Sequence, residues 1–262
     1  MSDLRSRYGS WAVVTGASSG IGLAFAEALA RQGLKLVLVA RREAALADLA
    51  GRLGVETRIV PADLGTEAGL AAVEQATADL EVGLLVASAG FGTSGPFAEA
   101  DLDAEVAMLD VNVRAVLRQA HHFGQRFAAR GRGGIVLLGS LVGFQGTPFA
   151  AHYAATKAYV QTLGEALCVE LAPRGVDVVV SAPGPVRTGF AEAADMEMGA
   201  ALAPEAVVGP TLAGLGRRQT VRPGWLTKVL GAGLATVPRW GKVRIMERVM
   251  GGMTAHQRTP AP

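Results

Sequence analysis

Short apolar runs alternate with segments of helical spacing along most of this 262-residue chain. The runs carry hydrophobic residues at successive positions, which predicts strands that are buried on both faces of a sheet. Between the runs, apolar positions recur every three or four residues, as in amphipathic helices. The predicted strands are residues 11–15, 34–39, 57–60, 84–87, 135–138 and 176–181. The predicted helices are residues 21–31, 43–53, 67–78, 104–130 and 151–171.

This regular alternation predicts an α/β fold with one open, doubly wound parallel sheet that is flanked by helices on both faces. No internal repeat or linker divides the chain, so we expect a single domain over residues 8–224. After Phe190 the alternation weakens. Residues 191–199 and 204–216 have the character of short helices, and residues 219–221 that of a last strand.

Residues 225–262 form a predicted C-terminal extension that is helical in part and packs on, or follows, the same domain. From Thr211 onward the chain has nine Lys and Arg residues and one acid, Glu247, giving +8 against −6 for the preceding 210 residues. A basic, amphipathic helical stretch with Trp225 and Trp240 at its ends indicates peripheral contact with a membrane. The alternative is that its arginines simply solvate the extension. Basic and aromatic residues are not interleaved in the main body, so we expect no nucleic-acid partner.

Composition narrows the class of protein. Half of the residues are hydrophobic and 18% are charged, which excludes intrinsic disorder. No apolar stretch reaches ~18 residues and the polar start lacks a signal-peptide core, so we expect a cytoplasmic protein without a transmembrane helix. The single cysteine, Cys168, excludes an intrachain disulfide and zinc bound by thiolates. His121 and His122 point about 100° apart on a helix, so we expect no metal site.

The first predicted strand leads directly into the glycine-rich sequence TGASSGIG at residues 15–22. In a Rossmann-type loop one glycine makes the turn, one lets the backbone approach a pyrophosphate, and one packs the helix on the strand. The following helix N-terminus offers unpaired N–H groups to the phosphates. A tight strand–helix turn is the simpler alternative, but the strand before and the helix after the glycines favour a nucleotide site. Its expected residues are Gly16, Ser18, Ser19, Gly20, Ile21 and Gly22.

The end of the second strand normally contacts the adenosine ribose of such a cofactor. A carboxylate there binds the free 2′-hydroxyl of NAD. This chain has Arg41 and Arg42 instead, and guanidinium groups bind a 2′-phosphate in bidentate fashion. We therefore expect NADP(H), unless the two arginines only solvate the start of the next helix.

Tyr153 and Lys157 stand four residues apart near the start of the predicted helix 151–171, so their side chains share one helical face. The chain has only three tyrosines, which makes a chance pairing at this spacing uncommon. Ser140 follows the predicted strand 135–138 at its carboxyl end, where open α/β sheets bind ligands. We expect Ser140 at the same edge of the sheet as the glycine loop.

Together these residues resemble the classical short-chain dehydrogenase/reductase family over residues 10–222. The resemblance implies hydride transfer between a nicotinamide cofactor and a carbonyl or hydroxyl group. It implies that the catalytic residues are Asn112, Ser140, Tyr153 and Lys157. It also implies cofactor contacts from Asp63, Leu64, Ala89, Gly90, Tyr153, Lys157, Pro183, Gly184, Val186 and Thr188.

Two segments depart from the family pattern. Where the family has Asn-Asn-Ala-Gly after the fourth strand, this chain has Ala87, Ser88, Ala89 and Gly90, so the glycine is kept and bracing amide groups are missing. The usual glycine-rich ending is replaced by Val-Arg-Pro-Gly at residues 221–224 and the basic extension. That ending is similar to the branch of acyl-chain and steroid ketone reductases.

The chemistry of these groups predicts their roles. A free tyrosine titrates near ~10. The Lys157 cation and the positive nicotinamide of an oxidised cofactor are expected to lower the pKa of Tyr153, which acts as general acid in reduction and general base in oxidation. Lys157 also holds the nicotinamide ribose, and Ser140 donates a hydrogen bond to the substrate oxygen. By resemblance, Asn112 helps to hold a water that carries protons from Lys157 to solvent.

The segments expected around the substrate, residues 91–97, 141–149 and 190–203, are mostly apolar. We therefore expect an apolar carbonyl or alcohol substrate in contact with Ser140, Leu141, Phe144, Tyr153 and Phe190. Because the family pairs through the helices predicted at 104–130 and 151–171, we expect a homodimer or homotetramer. The alternative functions are a cofactor-binding regulator with little catalysis and a membrane-docking protein.

Overall fold

A computed structural model describes residues 4–199 and 201–257 of the chain. Its seven strands form one sheet in the order β3-β2-β1-β4-β5-β6-β7, and every neighbouring pair is parallel. Between β1 and β4 the strand order reverses direction, which leaves a crevice at the carboxyl ends of these strands. The strands are β1 Trp11–Thr15, β2 Lys35–Ala40, β3 Thr57–Pro61, β4 Val82–Ala87, β5 Gly133–Leu138, β6 Val176–Ser181 and β7 Thr220–Val221.

Helices cover both faces of this sheet. Alternate residues of β1 separate into two buried apolar clusters, Val14 in one and Val13 in the other. Phe25 and Phe123 come from helices on opposite faces. The predicted doubly wound α/β fold is confirmed. The helices are α1 Leu4–Tyr8, α2 Gly20–Arg31, α3 Glu43–Leu53, α4 Glu67–Ala76, α5 Leu102–Leu109, α6 Ala115–Arg130, α7 Ala151–Leu171, α8 Phe190–Ala193, α9 Glu205–Gly214, α10 Trp225–Ala235 and α11 Arg239–Met253.

Two predicted helices were wrong in part. The expected continuous helix 104–130 is interrupted between α5 and α6 by a π-helical turn, Asp110–Arg114. This wider turn carries the fully buried side chain of Asn112, and π turns inside helices commonly occur at functional sites. The expected helix 191–199 ends early, because α8 stops at Ala193 and Asp195 has a left-handed φ of 50°.

Helix α1 was missed because its five residues are too few to show an apolar period. Its Arg7 and Tyr8 side chains both reach the Asp177 carboxylate on β6, at 2.7 and 2.8 Å. Burial, and after it the Asp177 carboxylate, raises the pKa of the Tyr8 phenol. The helix therefore closes the end of the sheet that lies opposite the carboxyl ends of the strands.

The described part of the C-terminal extension contains two α-helices, α10 and α11, which are separated at Pro238, and ends in a 3-10 turn, Ala255–Gln257. Thr227 of α10 is buried against the loop that follows β6, and Met246 and Met250 of α11 pack against Ala150. The basic residue Arg258 lies outside the described residues. Among the described helices none is long and apolar enough to cross a membrane.

Candidate active site

The loop between β1 and α2 has glycine positions where a residue with a side chain would not fit. Gly16 and Gly20 have left-handed φ values of 66° and 56°. A Cβ at Gly16 would lie 3.0 Å from the Cα of Ala89, and one at Gly22 would clash with the carbonyl oxygen of Gly16. The loop therefore lies against the segment after β4 and brings the N-terminus of α2 to the crevice, as a phosphate-binding loop requires.

Thr15 connects this loop to the segment where the family's amide residues are missing. Its Oγ1 accepts hydrogen bonds from the backbone N–H groups of Ser88 and Ala89, both at 3.1 Å. The same hydroxyl lies 3.5 Å from the carbonyl oxygen of Val86. Threonine in β1 thus braces β4 where this chain lacks asparagine.

The positions expected at the adenosine end lie at one side of the glycine loop. Arg42 extends its Nη2 to the carbonyl oxygen of Ser18 at 3.3 Å and to its hydroxyl at 3.4 Å. Arg41 is exposed beside it. The Asp63 carboxylate accepts a hydrogen bond from the Gly65 N–H at 2.9 Å, and Leu64 is buried. A guanidinium next to the loop, with no acid between them, suits a 2′-phosphate.

Ser140, Tyr153 and Lys157 come together at the carboxyl end of β5. The Ser140 hydroxyl lies close enough to the Tyr153 phenol to favour its charged form. Lys157 is buried, its Nζ donates to the carbonyl oxygen of Leu138 at 2.9 Å, and the same Nζ lies 5.8 Å from the centroid of the Tyr153 ring. The spacing of four residues on α7 places the ammonium and the phenol on one side of the helix.

Burial dominates the electrostatics of Tyr153 and Lys157. Burial raises the pKa of Tyr153 to about 12, although the hydrogen bond from Ser140 acts in the opposite direction. Burial also lowers the pKa of Lys157 to about 8. Without a cofactor, desolvation disfavours both charged forms, and the lowering of the Tyr153 pKa expected from Lys157 together with a bound nicotinamide stays a prediction.

Asn112 links three segments that surround the candidate site. Its Nδ2 donates to the carbonyl oxygen of Phe91 at 2.8 Å and to the hydroxyl of Thr156 at 3.1 Å, and its Oδ1 accepts from the Phe91 N–H at 3.1 Å. A Cβ at Gly90 would lie 2.9 Å from this Oδ1 and 3.4 Å from Lys157 Nζ. The amide thus joins the π turn, the segment after β4 and α7.

The loop after β6 forms the opposite wall of the crevice. Pro183 accepts a hydrogen bond from the Leu141 N–H at 2.9 Å, and the Gly184 N–H donates to Thr227 of α10 at 3.2 Å. Val186 is paired with Leu202. A Cβ at Gly20 would lie 2.9 Å from the Cγ2 of Thr188, so this wall meets the glycine loop.

Aromatic side chains line the expected substrate side. The Phe190 ring lies 5.0 Å from the Tyr153 ring, and a Cβ at Gly92 would lie 2.5 Å from the Phe190 Cζ. Phe144 instead lies under the guanidinium of Arg222 at 4.4 Å, and Leu141 is tied to the loop after β6 through its backbone. The apolar cluster that contains Tyr153 includes Val142 and Phe149, which belong to the segment 141–149 that was expected around the substrate.

Methionines close this cluster from above. We define the methionine cap as Met196, Met246, Met250 and Met253, which pack around Ala150 and Tyr153. Three of them lie on α11, four and three residues apart, which is helical spacing on one face. That spacing was the available signal. Because methionine fills irregular space, the cap suits an apolar ligand of variable shape.

Comparisons with known proteins agree with this geometry. A model of the short chain dehydrogenase family matches residues 10–198. The 7β-hydroxysteroid dehydrogenase of Clostridium sardiniense is 34% identical over 234 residues, which cover 86% of this chain and 90% of that protein. A solved 7β-hydroxysteroid dehydrogenase superposes with a TM-score of 0.86 at 32% identity, covering 93% of this chain and 98% of that one. A short-chain dehydrogenase from Sphingobium yanoikuyae in complex with NADPH has a TM-score of 0.78 at 33% identity, covering 87% and 96%.

Proposed function

The chain belongs to the short-chain dehydrogenase family, whose relatives act on hydroxyl and keto groups, and we propose that it is an NADP(H)-dependent reductase of an apolar ketone or aldehyde. The reverse oxidation uses the same groups. One observation carries the proposal: Ser140, Tyr153 and Lys157 lie together at the sheet edge beside a glycine loop with no room for side chains.

The cofactor part of the proposal is supported by the cradle and by charge. A dinucleotide fits the glycine loop, because its backbone approaches a ligand without intervening Cβ atoms. Arg42 and Arg41 would bind the 2′-phosphate, and Asp63 with Leu64 the adenine. The relative in complex with NADPH supports this preference. When bound, the nicotinamide supplies hydride in reduction or accepts it in oxidation.

Tyr153 delivers the proton in the proposed mechanism. The substrate carbonyl oxygen, which gains negative charge during reduction, would take the proton from the Tyr153 hydroxyl. A pKa near 12 keeps this phenol protonated at neutral pH, so it is present as the acid. Ser140 donates a second hydrogen bond to the same oxygen. The Lys157 cation then stabilises the phenolate.

Proton return is assigned to Lys157 and Asn112. Lys157 Nζ would bind the ribose hydroxyls of the cofactor and would return a proton toward the Tyr153 phenolate. Asn112, which fixes the π turn beside Lys157, helps to hold the water that restores this proton from solvent. The buried hydrogen bonds of Asn112 to Phe91 and Thr156 support a fixed position for that turn.

The substrate is proposed to be an apolar ketone of the size of a ring system. Phe190, Val142, Phe149 and the methionine cap present mostly apolar surface around Tyr153. The similarity to a hydroxysteroid dehydrogenase supports a hydroxyl or keto group on such a skeleton. Leu141 and Phe144 remain predicted contacts.

We also propose a homodimer or homotetramer. Leu102, Val106 and Leu109 on α5, and Leu117 on α6, are exposed apolar side chains. Their burial between two copies would remove apolar surface from water.

The first test is oxidation of NADPH and of NADH, followed at 340 nm with a panel of apolar ketones that includes ketosteroids. We expect faster turnover with NADPH and a loss of at least about 1,000-fold in kcat for Tyr153→Phe. Tyr159→Phe is the matched control, since Tyr159 packs in the other apolar cluster. Retained turnover in Tyr153→Phe, or tight NADPH binding with no turnover on any ketone, would contradict the proposal.

A further inference from the structure

The outer faces of α10 and α11 carry large apolar side chains that no described part of the chain covers. Trp225 and Trp240 are each 74% exposed. Val229, Ile245 and Val249 are also exposed. We call Trp225, Val229, Trp240, Arg244, Ile245 and Val249 the docking face. Exposed aromatic and aliphatic side chains in one short region are typical of an interaction surface.

The same two helices are basic. Residues 225–257 contain five Lys and Arg residues and a single acid, Glu247. On α11, Arg244 and Arg248 are exposed on the same side of the helix as Trp240 and Ile245. Long basic side chains beside apolar ones can extend to lipid headgroups while the apolar groups enter the interface.

Either a second copy of the chain or a lipid surface would cover such an apolar face, and the charge of the face distinguishes between them. In a two-fold pair of identical chains, the same patch meets itself, so the cations of α10 and α11 would face their own copies. Like charges so placed oppose association. An anionic bilayer neutralises them instead. We infer that the docking face binds an anionic lipid surface, with α11 between that surface and Tyr153.

The inner side of α11 relates lipid binding to catalysis, and this step of the inference rests on the proposed function. Met246 and Met250 lie in the cluster that contains Tyr153, so α11 presents methionines of the cap inward and its own part of the docking face, around Trp240, outward. An open cleft beside the C-terminal half of α11 is lined by Glu247, Arg248 and Gly252 and by Phe149 of the loop before α7. An apolar ketone dissolved in the bilayer would enter the site along this cleft.

The test uses vesicles of phosphatidylcholine with and without phosphatidylglycerol, with the full chain. Binding is measured by co-sedimentation and by tryptophan emission. Trp11 is buried, so a blue shift reports on Trp225 and Trp240. We expect binding to the anionic vesicles, a blue shift, and weakening by salt.

Two double variants test the docking face and the basic charge of α10 and α11. We expect Trp225→Ala/Trp240→Ala and Lys228→Glu/Arg244→Glu each to weaken vesicle binding by at least about tenfold. Arg31→Glu/Arg174→Glu makes the same charge change at exposed positions outside α10 and α11, and should leave binding within about twofold. Circular dichroism checks that all variants fold.

Three results would overturn the inference: no binding of the unmodified protein to anionic vesicles, equal weakening in the Arg31/Arg174 control, or a larger oligomer that the tryptophan variant loses in light scattering. The last would assign the face to a second copy. Reduction of a small water-soluble ketone by both face variants, and vesicle binding by Tyr153→Phe, separate this inference from the proposed function.

Discussion

The site at the sheet edge and the C-terminal extension are built in opposite ways. At the sheet edge, backbone approaches backbone, so that a Cβ at Gly22 would clash, and buried polar groups such as Lys157 and Asn112 have partners. In α10 and α11, Gly233 and Gly252 have open space around them, and both tryptophans are exposed. The close packing of the sheet edge holds the reacting groups in one arrangement, as hydride transfer requires. The open packing of α10 and α11 tolerates changes of side chain, which suits substrate choice and docking.

The largest expected effect comes from adding one methyl group to a glycine at the sheet edge, and the same change in the C-terminal extension serves as the comparison. For Gly22→Ala we expect the dissociation constant of NADPH to rise at least about 100-fold, close to 2.7 kcal/mol, because the Gly16 carbonyl cannot move without opening the loop. For Gly252→Ala in α11 we expect unchanged affinity and a gain of about 0.5–1 kcal/mol in stability, since helical alanine replaces glycine.

Fluorescence titration with NADPH and thermal melts measure both effects. Gly51→Ala in α3, where space is also open, is the control for a helix of the main domain. NADPH binding by Gly22→Ala at the unmodified affinity would show that the loop is as adaptable as the extension.

The next effect concerns the cofactor's 2′-phosphate. In Arg42→Glu a carboxylate would replace the guanidinium that lies beside Ser18. We expect kcat/KM with NADPH to fall about 30-fold while that with NADH changes less than about threefold, because the loss involves one charge-assisted pair. Arg31→Glu is the charge-matched control. An equal fall with both cofactors would mean that Arg42 supports the loop and does not select the phosphate.

The sheet edge could be predicted from the sequence because its signals are local. Successive apolar residues mark each buried strand, as at β1, and the glycines before α2 mark a turn that leads into a helix. The doubly wound fold, the family and its steroid ketone reductase branch were confirmed in this way. Four-residue spacing likewise placed Tyr153 with Lys157 on α7.

What the sequence missed depends on distant contacts. The hydrophobic period over residues 104–130 shows no break, because the π turn depends on the distant contacts of Asn112 with Phe91 and Thr156. The methionines of α11 have helical spacing, but nothing local shows that they meet Ala150 and Tyr153 about a hundred residues earlier. The raised pKa of Tyr153 follows from burial, which a motif does not reveal.

A smaller effect is expected where the two regions meet. Met250→Ala removes a buried side chain of the methionine cap next to the Tyr153 cluster. We expect KM for a bulky apolar ketone to rise about tenfold, from lost apolar contact, with kcat and the KM for a small ketone changed less than about threefold. Met108→Ala, a buried methionine of α5, controls for lost stability. A similar KM change in both variants would show that the cap does not contact substrate.

The smallest effect expected is a pH dependence at the sheet edge. Burial lowers the pKa of Lys157 to about 8, so its ammonium is present below that pH and lost above it. Below pH 8 the charged lysine attracts the anionic cofactor, and its burial costs the folded protein stability. As pH rises from 8 toward the unfolded value near ~10.4, that cost is relieved, while attraction for NADPH is lost.

We therefore expect the dissociation constant of NADPH to rise about threefold between pH 7 and pH 9, and Lys157→Met to bind weakly with no such slope. Titrations at constant ionic strength measure both. Lys35→Met, at a partly exposed ion pair with Glu56, should keep the slope of the unmodified protein. A flat profile in the unmodified protein, or a slope that survives in Lys157→Met, would remove the buried lysine from cofactor binding. If the affinity for NADPH follows the protonation of Lys157, a single proton on one buried side chain controls cofactor binding at the sheet edge.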